Sequence, residues 1–495
     1  MRIKPMSRLT KLSKILAMNG LLLSSLCFAN AIKTADDYFS QQNYLQAFDS
    51  YLDAAHAQEP RAYYQLGVMH YKGLGVKADQ VKALVWFTMA AKNNYANSAD
   101  IVKSLLGNVE AEEKTQINKL ILSSISKLDK ELLFRTYRPV VNKSLLTNPV
   151  TFAGVDSLDD VELITDLGFD GALSPFANNF DPVTESVSTG SEVEDFFVME
   201  PYFLIVEYDV ARDGSIRNIT EIKASGDVRS AVYDLSLNSM AKPSFADQPS
   251  SFVHRSFMGI AGYSRLRIRN EFEMFYTRTR LQNNKFKDSA DPQQQYVYAM
   301  TLASFPWLVK DNKEIDENLA KAAHNGFPAA QYEYGFRQYS QQTNVEQGID
   351  WIYQAAQQDH SQAQYRLGKM FLNSPWLEQD KDKATFWLQL AAGKGHLPAK
   401  LNLAEIRLLS AEEHLFDVAK AQDLLVQLKE THENYPQYHY LQAMAFLKME
   451  PRQLSKTVDF LRSAIDRGNE LNWDVSAWQR ELDSWTSTGT VTIVE

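Results

Sequence analysis

The chain has little cysteine and no run of basic residues. Of its 495 residues only Cys27 carries a thiol, and 51 basic side chains stand against 61 acidic ones, a net charge of -10. Nucleic-acid-binding proteins normally present a basic patch, so this balance argues against that class. Mean hydropathy is negative, which excludes a polytopic membrane protein. The 45% hydrophobic and 12% aromatic content excludes a largely disordered chain.

The first 31 residues have the composition of a secretory signal peptide. They carry five basic side chains and no acidic one, then an apolar stretch from Ile15 to Phe28, then Ala29-Asn30-Ala31. This order predicts export and cleavage after Ala31. A retained inner-membrane anchor and a lipoprotein signal are the alternatives. The apolar stretch is short and interrupted by polar residues for an anchor, and Leu26 stands before Cys27 where a lipoprotein signal needs a small residue.

Removal of this leader changes both the charge and the cysteine content. The remaining 464 residues hold 46 basic and 61 acidic side chains, a net charge of -15, and no cysteine. Such a chain has no disulfide, no thiol catalysis and no cysteine-metal site. The composition suits a bacterial periplasm, where an unpaired thiol invites oxidation.

An internal repeat of about 36 residues is visible at both ends of the chain. A tryptophan stands four residues before an alanine pair in three segments, and the members of these motifs are Trp86 with Ala90 and Ala91, Trp351 with Ala355 and Ala356, and Trp387 with Ala391 and Ala392. A second motif, an alanine and aromatic residues followed by glycine, ends at Gly67, Gly335 and Gly368. These spacings predict pairs of short helices, with small residues where the helices approach and tryptophan between successive pairs.

Segment 62–91 resembles the Sel-one-like repeat, a relative of the tetratricopeptide repeat. It includes Gly73 and Gly75, which supply a turn between two helices because positive φ is cheap for glycine. The C-terminal copies place Asn373-Ser374-Pro375 where this G-x-G turn would stand. The resemblance implies a curved solenoid that binds proteins.

The middle of the chain has the alternation of strands. Residues 203–210 are rich in β-branched and aromatic side chains, as strands are, and Asp213-Gly214 marks a hairpin turn. Residues 215–222 alternate in part between apolar and polar side chains. Residues 228–240 have helical spacing, and Leu266–Phe272 alternates again. We therefore expect the order strand, hairpin, strand, helix, strand.

That order resembles the carboxy-terminal domain of TonB-family proteins over residues 200–285. The matching elements are the Asp213-Gly214 hairpin, Ser225-Gly226 before the helix, and Pro243 close to Phe245 after it. Energy-transducing members carry an uncleaved anchor and a proline-rich spacer, and neither pattern is present here. The resemblance implies that a partner segment pairs with an edge strand of the small sheet.

The sequence has no catalytic or metal-binding motif that yields a candidate residue. His360 and His396 are one repeat apart, but stacked units lie about 10 Å apart, whereas zinc ligands converge within about 2 Å of the ion. Ser124-Ile125-Ser126-Lys127 lacks the partner motifs of penicillin-binding enzymes. We predict no catalytic residue, no cofactor and no metal. Tyr64, Tyr332 and Tyr365 lie on the first helices of repeat units and are the candidates for partner contact on the concave face.

The sequence predicts a mainly α protein in which tetratricopeptide-like α-solenoid repeats flank a small α+β domain. The predicted boundaries are a signal peptide at 1–31, an N-terminal repeat module at 32–135, a linker at 136–198, an α+β domain at 199–288, a C-terminal repeat module at 289–480 and a tail at 481–495.

The predicted function is that of a non-enzymatic periplasmic adaptor with protein or peptide partners in the cell envelope. We predict no nucleic-acid partner and no stable membrane insertion after leader cleavage, and the oligomeric state is left open. Two alternatives are an enzyme or enzyme-activating subunit acting on cell-wall material, and an inner-membrane-anchored energy transducer of the TonB type.

Overall fold

The computed structural model describes residues 32–56, 59–107, 111–153, 202–309, 311 and 313–486. The predicted signal peptide, residues 154–198 of the predicted linker and residues 487–495 of the predicted tail lie outside these ranges. The chain divides into an N-terminal unit, residues 1–138, and a C-terminal unit, residues 139–495.

The N-terminal unit is helical throughout its described part. Its helices are α1 at 32–40, α2 Tyr44–His56, α3 Pro60–Lys72, α4 Gln80–Lys92, α5 Ser98–Leu105 and α6 Ala111–Thr136. Trp86 and Ala90 are buried in its core, where the Trp86 ring stacks on Tyr63. Gly73 and Gly75 have φ of 73° and 70° and form the predicted turn between α3 and α4.

The C-terminal unit contains a series of paired helices of about 13 residues. In chain order its helices are α7 Arg229–Leu237, α8 Arg265–Glu271, α9 Glu273–Asn284, α10 Pro292–Ser304, α11 Lys313–His324, α12 Pro328–Ser340, α13 Val345–Gln357, α14 Ser361–Asn373, α15 Lys381–Gly393, α16 Leu397–Leu409, α17 Val418–His432, α18 Pro436–Lys448, α19 Leu454–Glu470 and α20 Ser476–Thr486. The first helices of four successive pairs are α12, α14, α16 and α18. The second helices of three pairs begin after a side-chain cap, at Asn344, Asp380 and Asp417. Each capping side chain accepts a backbone N–H that would otherwise be unpaired, which stabilises the start of the helix.

Two small antiparallel sheets accompany the helices of this unit. The first has the order β3-β2-β6, where β2 is Phe203–Val210, β3 is Ile216–Ser225 and β6 is Phe252–Gly259. The second contains β1 Val150–Phe152, β4 Pro243–Phe245 and β5 Gln248–Pro249. A hairpin joins β2 to β3, with Gly214 at φ 86°. The predicted class, mainly α with a small α+β part, is confirmed.

The predicted strand at Leu266–Phe272 is wrong. This segment is helix α8, and the third strand of the sheet is Phe252–Gly259 instead. The hydroxyl of Ser264 accepts the backbone N–H of Arg267 at 3.2 Å and so caps the helix. Ile268 is fully buried while Leu266 is 71% exposed, which a strand with both side chains on one buried face would not allow.

The glycine of the repeat motif lies where two helices touch. A Cβ atom at Gly335 in α12 would lie 2.6 Å from the carbonyl oxygen of Gly348 in α13 and 2.7 Å from Cβ of Trp351. Equivalent atoms would lie 2.8 Å from the Phe87 ring at Gly67 and 2.7 Å from Cγ of Leu388 at Gly368. At these three positions the two helices of a pair therefore lie closer together than a residue larger than glycine would allow.

Gly335→Ala should lower the free energy of unfolding of the C-terminal unit by about 1–3 kcal/mol, because backbone oxygen and Cβ atoms cannot move aside as a side-chain end can. Urea unfolding of the full chain, followed by far-UV circular dichroism, measures the change. Gly393→Ala in α15 is the matched control, since no atom lies within 4 Å of the added methyl. It should leave stability unchanged or raise it by up to about 1 kcal/mol. Equal effects of the two substitutions would contradict the close approach.

Candidate functional site

The central strand of the larger sheet buries two carboxylates. All eight residues of β2 are buried, including Glu207 and Asp209. Alternate side chains of a strand point to the same face, so these two acids share a face with Phe203 and Ile205. That face is directed at the first helices of the repeats, where residues of α12 and α14 contact both acids.

Glu207 is fully buried and surrounded by donors. The Tyr332 hydroxyl lies 2.8 and 2.7 Å from its two carboxylate oxygens, and the Gln362 amide donates at 2.8 Å. Arg366 donates through Nε at 3.0 Å and through a terminal nitrogen at 2.6 Å. Arg255 of β6 donates to the second oxygen at 2.9 Å. Both oxygens are thus charge-paired and hydrogen-bonded, as a buried ion requires.

Asp209 extends the same network along the strand. It accepts a second nitrogen of Arg366 at 2.8 Å and the Asn218 amide at 2.9 Å, and Lys369 Nζ lies 3.3 Å away. Asn218 has φ of 54° at an irregularity in the β2–β3 pairing, which turns its amide toward Asp209. Arg366 therefore bridges two acids that lie two residues apart on one strand.

Equivalent repeat positions supply the contacts from the helices. Glu333, Arg366 and Asn402 each stand at the sixth residue of α12, α14 and α16. Glu333 pairs with Arg255, and Asn402 donates to Asn218 at 3.2 Å. Three successive repeats thus place buried polar side chains against one sheet. We call this set the sheet–repeat network, and its charged members are Glu207, Asp209, Glu333, Arg255, Arg366 and Lys369.

The network is balanced, with three acidic and three basic side chains. Burial alone would raise the pKa of Glu207, but the guanidinium groups of Arg366 and Arg255 outweigh it and hold that pKa below its usual range. Burial likewise opposes ionisation of Asp209, and Lys369 and Arg366 reverse the effect and lower its pKa. Burial and the charge of Glu207 raise the pKa of Tyr332, which keeps its hydroxyl protonated as a donor.

His360 and His396 cap the helices that carry this network. Their Nδ1 atoms accept the backbone N–H groups of Ala363 and Ala399 at 3.2 and 3.3 Å. The rings stack on tyrosines, His360 on Tyr332 at 5.1 Å and His396 on Tyr365 at 4.3 Å. Burial lowers the pKa of each histidine to about 4, because the cation is costly away from water. Both act as neutral structural caps at pH 7.

The tyrosines proposed for partner contact have different surroundings. Tyr332 and Tyr365 are 1% and 0% exposed and contact their own chain in this structure. Tyr64 of the N-terminal unit is half-buried, and its hydroxyl donates to Asn97 at 3.4 Å. The predicted partner contact of all three stays a prediction.

The tryptophans and alanines of the repeat motif lie in the helical cores. The three tryptophans Trp86, Trp351 and Trp387 are buried, and so are the motif alanines Ala90, Ala355, Ala356, Ala391 and Ala392, while Ala91 is half-buried. Trp351 packs against Ala322 and Ala323 of the preceding pair and against Ala330 of its own pair. These residues fill the space between successive helix pairs.

A cleft of about 810 Å³ adjoins the network between the sheet, α14 and α16. Asp209, Lys369 and Asn402 line it, and so do Arg212 and Lys242. Within the described parts of the chain, neither the Arg212 guanidinium nor the Lys242 ammonium has a hydrogen-bond or ion-pair partner. The cleft therefore combines an organised polar wall with two unpaired cations.

No group of three or more His, Cys, Asp or Glu that could hold a metal ion occurs in the described ranges. Nor does any helix in those ranges combine the length and the apolar character needed to cross a bilayer.

Two features of the sequence indicate the sheet–repeat network. The charged residues that form these features were not among the site residues predicted from the sequence. Glu207 and Asp209 interrupt an otherwise apolar strand at i and i+2, on one face. The residue after Tyr332 and Tyr365 is charged in both repeats, at Glu333 and Arg366. Charged residues on the expected core face of two elements indicate pairing between them.

Glu207→Gln should lower the free energy of unfolding of the C-terminal unit by about 3–5 kcal/mol, because it leaves the buried guanidinium groups of Arg366 and Arg255 without full compensation. Urea unfolding at pH 7 measures the loss. Glu221→Gln on the exposed part of β3 is the control and should change stability by less than about 0.5 kcal/mol. A similar loss of unfolding free energy in both variants would show that the ion pairs do not stabilise the packing of the sheet against the repeats.

Stability should also fall as the pH drops from 6.5 to 4.5. Unfolded histidines titrate near 6.5, and His360 and His396 titrate at about 4 in the folded chain. Protonation in this window favours the unfolded chain by roughly 1.4 kcal/mol per pH unit for each histidine. The acids Glu207 and Asp209 have lowered pKa values and lose their contribution only below about pH 4.

The double variant His360→Asn and His396→Asn keeps both helix caps and removes both titrations. Its unfolding free energy, measured by urea titration at several pH values, should fall less steeply across this window. An unchanged slope in the double variant would contradict the lowered histidine pKa values.

Comparison with known proteins identifies the repeats. The Sel1 repeat model matches residues 60–95, 328–360 and 361–396. The first match covers α3 and α4, and the other two cover α12 with α13 and α14 with α15. No curated protein matches the chain.

Three solved structures are similar to the chain at low identity. A protective antigen of uropathogenic Escherichia coli with an SLR fold is 16% identical, with 94% of this chain and 81% of that chain covered and a TM-score of 0.33. A Sel1 repeat protein from Oxalobacter formigenes is 11% identical, with coverages of 88% and 99% and a TM-score of 0.30. Yeast Tom70 is 14% identical, with coverages of 91% and 78% and a TM-score of 0.26. By the family matches, the chain contains Sel1 repeats in both of its units.

Proposed function

We propose that the protein is a non-enzymatic periplasmic adaptor that binds a carboxylate-bearing peptide segment of a protein partner in the cleft. Sel1 and related repeats are protein-interaction scaffolds. The basic and apolar leader with its Ala29-Asn30-Ala31 site supports export. The cell envelope is accordingly the proposed site of action.

The observation that carries this proposal is the pair of unpaired cations in the cleft. Arg212 lies in the β2–β3 hairpin and Lys242 just before β4, and both line the same cavity. The neighbouring cation Lys369 forms an ion pair with Asp209 and donates a hydrogen bond to the amide oxygen of Asn402. An arginine and a lysine in one concave site favour a carboxylate, on an acidic side chain or at a chain end.

The rest of the lining suits a peptide. Asn402 and Gln437 add polar surface whose amide N–H groups already donate within the chain, and Leu372, Ile406 and Leu409 offer apolar surface. A volume of about 810 Å³ lies within the usual range for ligand sites, roughly 300–1,000 Å³. Such a mixture can contact both the backbone and the side chains of a short extended segment.

The small sheet forms one wall of the cleft, and we propose that it derives from a TonB-like carboxy-terminal domain. Apart from β4 and β5, which belong to the second sheet, the order β2, hairpin, β3, α7, β6 keeps strand, hairpin, strand, helix and strand in the expected sequence. The last strand is Phe252–Gly259 rather than the segment first expected. In this proposal the domain serves as a binding wall and not as an energy transducer.

Photo-crosslinking in living cells tests the cleft. A benzophenone amino acid in place of Leu409, which lines the cleft and is partly exposed, should capture a protein partner in the envelope fraction. Arg212→Glu combined with Lys242→Glu should reduce that crosslink at least about fivefold, since each reversed contact costs up to about 1 kcal/mol. Mass spectrometry of the crosslinked peptide should place an acidic or C-terminal residue at the site.

The control reverses two exposed cations of the N-terminal unit, Lys72→Glu and Lys77→Glu, and should retain the crosslink. Circular dichroism verifies that all variants fold. Equal yields in the two double variants, or no protein crosslink from Leu409, would contradict a cleft that binds a peptide. Hydrolysis of muropeptides by the purified chain would instead favour the enzyme alternative.

A further inference from the structure

Helices α8 and α9 form a basic surface on an acidic chain. Between 265 and 287 there are seven basic and two acidic residues, although the whole chain has a net charge of -10. Six of the basic side chains are exposed, and they are Arg265, Arg269, Arg278, Arg280, Lys285 and Lys287. Like charges held together on one surface attract an acidic partner.

An apolar groove of about 630 Å³ runs between α9 and α10 on this surface. Phe275, Leu281 and Val297 line it together with Arg278 and Lys285. Leu281 is 57% exposed, and Leu266 and Met274 add further exposed apolar area nearby in sequence. We call this site the basic groove. Apolar side chains grouped among charges indicate a surface that another segment covers.

Two polar side chains of the basic groove have no partner among the described residues. The Arg278 guanidinium makes no hydrogen bond or ion pair there. Asn283 is 3% exposed, and neither its carboxamide nitrogen nor its oxygen is hydrogen-bonded. Buried amides in folded proteins are nearly always paired, and Asn283 lines the basic groove, where a bound segment would supply the partners it lacks.

We propose that residues 154–201 of the same chain bind in the basic groove. This segment of 48 residues has twelve acidic side chains and no basic one. It also carries apolar residues between the acids, among them Leu158, Val161, Ile164 and Leu167. Its charge and its apolar content thus both match the basic groove.

The segment ends beside the basic groove. It joins the described chain at Tyr202, whose carbonyl accepts the Ile260 backbone N–H at 2.9 Å. The next residue, Phe203, packs on Phe305 at 5.2 Å, and Phe305 packs on Phe275 of the groove at 5.6 Å. Attachment at this point gives the acidic residues a high effective concentration near the basic helices.

The length of the segment allows this placement. It leaves the described chain at Ala153, whose N–H donates to the backbone carbonyl of Lys242 at 3.2 Å. Fully extended, 48 residues reach on the order of 150 Å. For scale, this is several times the length of the eight-residue strand β2, which runs the length of the larger sheet. Neither end therefore restrains the segment from reaching the basic groove.

Photo-crosslinking of the purified full chain tests the proposal. A benzophenone amino acid in place of Leu281 should crosslink to the tryptic peptide 144–212, which contains the whole segment, and fragment ions should locate the bond within 154–201. Arg278→Glu combined with Arg280→Glu should lower the yield at least about fivefold, as should 1 M salt. A mixture of isotopically light and heavy chains shows whether the bond lies within one chain.

Two matched controls accompany this experiment. Benzophenone in place of Val426, an exposed apolar position on α17, should give no crosslink to 154–201. Lys429→Glu combined with Arg462→Glu should leave the yield from Leu281 unchanged. Crosslinks from Leu281 only between chains, only to other parts of the chain, or equally from Val426 would overturn the proposal. Binding to anionic lipid vesicles without the intramolecular crosslink would overturn it as well.

Discussion

The C-terminal unit depends on the buried carboxylate of Glu207. A charge with no exposed surface costs several kcal/mol unless partners surround it, and here Arg366, Arg255 and Tyr332 do so. Those partners belong to β6 and to two different repeats. The carboxylate therefore has all of its ion-pair and hydrogen-bond partners only when the sheet packs against the repeats. A single ionised group thereby sets the position of the sheet against the helices.

The packing of the sheet on the repeats limits the surface that the repeats can offer to a partner. The face formed by their first helices, which the sequence predicts to be free for a partner, contacts the chain's own sheet at Tyr332 and Arg366. Beside that contact a cleft opens between the sheet and α16, and among the described residues its Arg212 and Lys242 have no ion-pair partner. The proposed adaptor therefore binds its partner at the junction of two structural elements rather than along one concave surface.

The helical pairs could be predicted from the sequence because their signals are local. Gly335 and Trp351 stand at fixed spacings, and the helix contact needs only that a small residue meets a large one. The strand expected at Leu266 failed because a short alternating run also fits a helix once Ser264 caps it. The network could not be predicted in the same way, since its partners on the sheet and the repeats lie up to 184 residues apart and no periodicity links the sheet residues to the helices. The sequence indicates it only through the two acids in an apolar strand and the charged residues that follow Tyr332 and Tyr365.

Hydrogen exchange of the full chain tests most directly whether the network joins sheet and repeats into one cooperative unit. The backbone amides of β2 and of α14 should exchange with the same opening free energy, and Glu207→Gln should lower both by the same amount. A sheet that opens at low free energy while α14 stays protected, in the wild type or in the variant, would contradict this account.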